Sequence, residues 1–299
     1  MSTAGSPGVA NGLAASALAN DAFTHKNNIA SGTVNATYTV VPVSAQLCPG
    51  APFNVTITVS PEPVVTTQAL VVCSDEAMNF NLDALGGGNG DTYSYTVVSS
   101  NQSAVPAAAA RTTASNANIT DTYTNETSSN VSIQYLITPI ASNGCVGNNF
   151  TLTVVVKPEP VVANQTIASL CSDVATAVNF PSSTSVAAAT YNVTSLALGN
   201  TTVSAGGAAV ANGLTVSALA NDAFNNVTTG AETVVYTVNP VSAAGCAGNA
   251  FTTTITVQPE PIVTAVSNVT ACNSATVASQ SFTSSLGSTT YAWTNNTTS

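Results

Sequence analysis

Three times in this chain a tyrosine is followed 4 residues later by a proline, 6 residues after that by a cysteine, and 13 residues after that by Pro-Glu-Pro. The copies run from Tyr38 to Pro63, Tyr135 to Pro160 and Tyr236 to Pro261, and their starts lie 97 and 101 residues apart. Constant internal spacing that recurs about every hundred residues means that one structural unit is reused along the chain. A period of roughly a hundred residues is the size of one β-sandwich.

Inside each copy, apolar and polar residues alternate. Val34, Ala36, Tyr38 and Val40 do so, as do Phe53, Val55, Ile57 and Val59. The pattern returns at Val131, Ile133, Tyr135 and Ile137 with Phe150, Leu152, Val154 and Val156, and at Val234, Tyr236 and Val238 with Phe251, Ile255 and Val257. Period two with β-branched and aromatic residues predicts half-buried strands, and the Pro, Gly and Cys between them predict a hairpin. Tyr38, Tyr135, Tyr236, Phe53, Phe150 and Phe251 are therefore expected core residues. The prolines of Pro-Glu-Pro (Pro61 and Pro63, Pro158 and Pro160, Pro259 and Pro261) end the strands, since proline has no ladder donor. A three-residue extended step spans about 9 Å, which predicts abutting domains, and Glu62, Glu159 and Glu260 are expected to be solvated spacers. After each linker the sequence predicts a first strand, a turn at Cys73, Cys171 or Cys272, an apolar strand around Phe80, Phe180 or Phe282, and a strand opened by Tyr93, Tyr191 or Tyr291. Tyr95, Val193 and Trp293 follow two residues on, at a position where a sandwich core keeps a large side chain.

The two ends of the chain complement one another. Val9 to Phe23 recurs at Val210 to Phe224 with 13 of 15 positions identical, so the chain opens partway through a repeat. The expected organisation is residues 1–63 as the C-terminal part of a repeat, 64–160 and 161–261 as complete repeats, and 262–299 as an N-terminal part completed by residues 1–63 of the next unit. Residues 262–299 and 1–63 together make 101 residues, one repeat. Either the chain is a three-repeat window of a longer protein, or each subunit donates strands to the next. Both expectations give a head-to-tail filament, because a heterologous contact that does not close is open-ended.

Composition removes several functional classes. Only 5% of residues are charged, and 13 acids against 3 Lys plus Arg leave a net charge of −10. Nucleic-acid partners need clustered cations and are not expected. No apolar run approaches the roughly 18 residues of a spanning helix. The opening residues carry no export signal. Six cysteines fall at matched places, none in a metal-ligand spacing, and predict structural disulfides in an oxidising, extracellular compartment.

The combination of Cys-Ser-Asp with a following Phe, Thr-Tyr-x-Trp, Tyr-x-Val-x-Pro with Gly-Cys-x-Gly, and Val-x-Pro-Glu-Pro resembles the PKD-like and immunoglobulin-like repeats of large surface adhesins of Bacteroidota. The resemblance covers the whole chain. It implies an all-β chain of tandem immunoglobulin-like (PKD-like) β-sandwiches of about 97–101 residues, export by the type IX route, and a role in adhesion, gliding or extracellular fibres. Tyr95 and Val193 depart from the Trp, and Asn273 departs from the Ser after Cys. No catalytic residue comes with the resemblance.

Residues that could carry chemistry are few. The single histidine, His25, sits in an insertion and is expected to be a solvated loop residue, which leaves little for acid–base catalysis. Gly86 to Asp91 and the repeated Asp21 and Asp222 are candidate calcium ligands set against ordinary turns; no other cofactor is expected. Sequons at Asn35, Asn54, Asn118, Asn125, Asn192 and Asn226 follow from a composition rich in Asn, Ser and Thr.

The cysteines can pair in two ways. Intra-domain bonds, Cys73 with Cys145 and Cys171 with Cys246, would close loops of 72 and 75 residues, worth roughly 4 kcal/mol in the chain-entropy model. Yet Cys73 lies 10 residues past Pro63, about 33 Å up an extended strand, whereas the hairpin Cys145 belongs near the opposite pole. A disulfide needs Cα atoms within about 7 Å. An inter-domain staple meets this limit and is the favoured expectation: Cys73 with Cys246, Cys171 with the Cys48 of the next unit, and Cys272 with its Cys145. The functional expectation is a non-enzymatic filament or adhesin stalk whose partners are copies of itself. The alternatives are a module that binds glycans or a surface, and an accessory region of a larger secreted enzyme.

Overall fold

The structure is a computed structural model and describes residues 2–4, 22–25, 32–85, 92–100, 111–113 and 118–296. The chain forms two compact units: Met1–Asn125 with Asn130–Lys157, and Glu126–Ser129 with Pro158–Ser299.

The first unit holds β1 (Ser2–Ala4), β2 (Ala22–Thr24), β3 (Val34–Val40), β4 (Phe53–Val59), β5 (Gln68–Cys73), β6 (Phe80–Asn81), β7 (Thr92–Ser100), β8 (Arg111–Thr113), β9 (Asn118–Ile119), β10 (Val131–Ile140) and β11 (Phe150–Lys157). Five of these make a sheet in the order β5-β11-β10-β7-β8, and β6 pairs with β9. The second unit holds β12 (Gln165–Cys171), β13 (Ala188–Ala197), β14 (Thr202–Ala205), β15 (Ala211–Leu214), a one-turn helix α1 (Val216–Ala220), β16 (Ala223–Asn225), β17 (Glu232–Ser242) and β18 (Phe251–Gln258). Its sheet runs β12-β18-β17-β13-β15, with β14 on β16. The chain is all-β, built of tandem β-sandwich repeats.

The three hairpins share one register. Tyr38 faces Val55, Tyr135 faces Leu152 and Tyr236 faces Thr253. Along β10 and β11, every second side chain is buried, as period-two patterning requires. Tyr93, Tyr95, Ile133, Tyr135, Phe150 and Leu152 fill one core; Tyr191, Val193, Tyr236, Phe251 and Ile255 fill the other. The first strand of each complete repeat runs parallel to the last: Gln68 lies opposite Leu152 and Cys73 opposite Lys157, and Cys171 lies opposite Gln258. Two parallel strands point to the same pole, so the polypeptide comes in at one end of the sandwich and leaves from the other. That topology lets repeats be strung in line.

Three expected core residues are not buried. Phe53 is 52% exposed, Trp293 is 83% exposed, and Tyr38 is half-buried, its ring edge-on to Phe23 at 6.3 Å. The cause is missing sheet partners. β3 and β4 pair only with each other among the described residues, while β10 and β11 are flanked by β7 and β5. Residues 262–296 contain no named strand and are held by the bridge of Val263 with Ser284 and by the Ser285 N–H donating to the Ile262 carbonyl. The strand expected around Phe80 is the two-residue β6; Phe180 and Phe282 lie outside strands.

Candidate functional site

Chemistry in this chain concentrates at the poles of the repeats, where turn, hairpin and linker meet. The hairpin geometry is the same in all copies. The Ala141 N–H donates to the Cys145 carbonyl at 2.8 Å and the Gly147 N–H to Pro139 at 2.9 Å; Ser242 to Cys246 and Gly248 to Pro240 repeat this, as do Ser44 to Cys48 and Gly50 to Pro42. The tip residue is left-handed: Gly144 and Gly245 at φ 84°, Leu47 at φ 67°. The second glycine has another reason. A Cβ on Gly147 would sit 2.2 Å from the Pro63 carbonyl oxygen, and one on Gly248 2.0 Å from that of Pro160. The hairpin therefore rests its backbone directly on the last proline of the preceding linker.

At the opposite pole the Cys-Ser-Asp turn closes the sandwich. The Ser74 N–H donates to the Lys157 carbonyl, the Asp75 N–H to Tyr123, and the Asn125 N–H to Ser74 Oγ at 2.7 Å. Ser172, Asp173 and Asn226 repeat the set on Gln258 and Phe224. Asn125 and Asn226 are buried and donate from Nδ2 to the Val156 and Val257 carbonyls, each at 2.8 Å. These two sequons are structural asparagines with no access for a glycan.

His25 corrects one expectation. It is 6% exposed, and its Nε2 lies 2.9 Å from the Gly32 carbonyl oxygen. It occupies the place of Asn226, whose Nδ2 donates to the Gly230 carbonyl at 2.9 Å; the Glu62 N–H bonds the His25 carbonyl as the Glu260 N–H bonds that of Asn226. The linker glutamates are not solvated spacers either. Glu159 is 1% exposed, Glu62 and Glu260 are half-buried, and Glu260 Oε1 accepts from Asn225 Nδ2 at 3.0 Å.

Asp222 is 3% exposed, and its Oδ2 accepts the Tyr236 hydroxyl at 2.6 Å. Burial raises its carboxyl above the ordinary aspartate value, opposed by bonds from Tyr236 and the Gly207 N–H. Burial likewise pushes the Tyr236 and Tyr135 hydroxyls up. Asp121 does the same for Tyr135 at 2.8 Å. The Asp222 carboxyl thus serves as the acceptor of a tyrosine hydroxyl. Asp21 and the Gly86–Asp91 segment lie outside the described residues.

Cys73 and Cys246 are disulfide-bonded, while Cys48, Cys145, Cys171 and Cys272 carry free thiols. The intra-domain pairings, Cys73 with Cys145 and Cys171 with Cys246, are therefore not formed. Within the first unit the reason is visible. Cys73 ends β5 beside Lys157 at one pole, and Cys145 sits in the hairpin at the other, where it lines a cavity of about 500 Å³ with Phe23, His25, Ser60 and Glu62.

Turn, hairpin, linker and parallel outer strands define a tandem all-β sandwich protein. The model of the PKD-like domain matches residues 8–63, 70–160 and 168–261, and the chain belongs to that family. No curated protein matches the sequence. Among solved structures it is similar to the protocadherin gammaB7 EC3-6 cis-dimer, with 12% identity, 77% of this chain and 59% of that chain covered, and a TM-score of 0.24. It is also similar to N-cadherin EC1-3 of Drosophila, with 10% identity, 77% of each chain covered and a TM-score of 0.20. The chain spans 59% of the protocadherin that it matches. No helix among the described residues is long and apolar enough to cross a membrane.

Proposed function

We propose that this chain is a non-enzymatic structural element of an extracellular filament or adhesin stalk, built from residues 64–160 and 161–261 as whole repeats and from residues 1–63 and 262–299 as partial ones. The observation that carries this reading is the reuse of one joint. Gly147 on Pro63 and Gly248 on Pro160 put the hairpin backbone against the preceding linker in two successive repeats, the glycines 101 and the prolines 97 residues apart. A side chain at either glycine is excluded from that contact.

The oxidised Cys73 and Cys246 support the same reading. Disulfides persist in oxidising surroundings. That chemistry and the family support an extracellular place for the chain, and on this reading it is secreted to the cell surface. The partners on this reading are further copies of the chain. A glycan-binding role would call for aromatic platforms on loops. Trp293, the most exposed aromatic among the exposed large hydrophobics of the described residues at 83%, stands at the sequence position held by buried Tyr95 and Val193, which supports a place in a completed core rather than on a binding loop.

Negative-stain electron microscopy of the oxidised 299-residue protein tests the proposal. Unbranched fibres are expected. Dispersed particles under oxidising conditions, together with selective retention on a glycan array, would replace it with the binding-module reading.

A further inference from the structure

The cavity of about 500 Å³ in the first unit is lined by Phe23, Thr24, His25, Ser60, Glu62 and Cys145, among others. Its counterparts in the complete repeats show what belongs there. The backbone groups of Tyr123, Asn125 and Lys157 engage the turn Cys73–Asp75, and those of Phe224, Asn226 and Gln258 engage the turn Cys171–Asp173. Phe23, His25 and Ser60 stand at the same three places. The residues that line the cavity therefore include the positions that hold a Cys-x-x turn in the complete repeats.

The chain carries one further turn of that kind, at Cys272–Asn273–Ser274, and it is already in the same conformation. Ser274 has φ 65°, against 60° for Asp75 and 64° for Asp173. The Ala275 N–H donates to the Cys272 carbonyl at 3.0 Å, as Glu76 does to Cys73 and Val174 to Cys171, each at 3.3 Å. Asn273 replaces the serine whose Oγ accepts from Asn125 or Asn226, and an amide oxygen can accept the His25 N–H in the same way. Cys272 is exposed and its thiol free. A preformed turn loses little entropy on docking.

We propose that this cavity takes the Cys272–Ser274 turn of a second copy of the chain, and that Cys145 then forms a disulfide with that copy's Cys272. Cys145 stands where the oxidised Cys246 stands in its own hairpin, and Cys272 stands where the oxidised Cys73 stands in its own turn. The same docking sets Cys48 beside Cys171 of the other copy. The step is a thiol–disulfide exchange. Two thiols lose two protons and two electrons as the S–S bond forms, and an external disulfide such as oxidised glutathione is cleaved to two thiols. The inference rests on the head-to-tail reading above and adds the residues that lock it.

The test uses the full chain in a glutathione redox buffer, read by non-reducing gel and by mass spectrometry of linked peptides. Wild type is expected to give a ladder in steps of 29.7 kDa and a Cys145–Cys272 peptide. A C48S/C171S chain keeps the ladder, and adding C272S abolishes it, while Cys73 and Cys246 stay oxidised as the control for folding. A ladder that survives C272S in that background, or oxidation without the Cys145–Cys272 peptide, overturns the proposal. Fibres seen by microscopy without that peptide overturn the disulfide and leave the head-to-tail reading standing; absence of both overturns both.

Discussion

Tyr236 donates its hydroxyl hydrogen to Asp222 Oδ2 at 2.6 Å, across 14 residues of sequence. Tyr135 makes the same bond to Asp121, also 14 residues upstream, at 2.8 Å. In both repeats a core tyrosine ties the start of the cassette back to the segment that leads into it, the job a tyrosine corner does in related sandwiches. Tyr236→Phe should destabilise the second unit by about 1–3 kcal/mol, because it removes the side-chain donor of a buried carboxyl and leaves it the Gly207 N–H. Urea unfolding of the variant against wild type measures this.

The same pair sets a pH dependence. Burial raises the Asp222 carboxyl, so between its usual value of about 3.9 and its raised value the folded state holds a proton that the unfolded state has lost. Stability from this group is therefore full below the usual value and falls as pH rises through the window. Asp222→Asn keeps an acceptor for Tyr236 and cannot titrate. Urea midpoints followed from acid to neutral pH should show the variant gaining on wild type as pH rises; parallel curves would remove Asp222 as the cause.

Substitutions at two glycines of the second unit should separate by position. Gly248→Ala drives a methyl into the Pro160 carbonyl and should cost about 1–3 kcal/mol, the scale of overpacking. Gly230→Ala, with open space around it and no left-handed φ, should be near neutral. Thermal melts of the two variants provide the comparison.

Leu47 is a leucine at φ 67° with 83% of its surface exposed. A left-handed non-glycine residue costs about 1–2 kcal/mol, and glycine returns part of that through greater freedom in the unfolded chain. Leu47→Gly should therefore stabilise its hairpin by about 0.5–1 kcal/mol net of those two effects. Hydrogen exchange at the Leu47 and Gly50 amides, which donate to Ser44 and Pro42, should slow.

Asn226 lends itself to a different check. Its Nδ2 donates to Val257 and Gly230 from full burial, so Asn226→Ala removes two buried hydrogen bonds, leaving the Gly230 carbonyl the Thr228 hydroxyl alone, and should cost about 2 kcal/mol. Expression in a glycosylating host should leave both Asn125 and Asn226 unmodified in intact-mass spectra.

The strands were legible because alternation survives in every copy: β3, β10 and β17 differ in residue identity, yet each pairs with its neighbour in one register. Burial was less legible. Alternation says which face a side chain takes, and only a third and fourth strand decide whether that face is covered, which is why Phe53 and Trp293 read as core and lie exposed. The polar machinery of the poles was missed for a related reason. His25 reads as a loop residue until its alignment with Asn226 is made across an insertion of three residues, and Glu159 reads as solvated until the linker is seen to be enclosed. The Asp-to-Tyr spacing of 14 in two repeats was a usable signal for Asp121 and Asp222. The helix α1 announces itself only through Thr215, which caps it by accepting the Ala218 N–H, a weak local mark in an otherwise β-patterned chain.

The central claim is that copies of this chain add to one another without a closing step. Light scattering coupled to size exclusion, run over a hundredfold range of protein concentration in oxidising buffer, tests it most directly. The account predicts a mass that climbs steadily with concentration beyond 29.7 kDa and reaches no plateau at dimer or trimer. A mass fixed at 29.7 kDa throughout, or one that stops at a single closed oligomer, contradicts it.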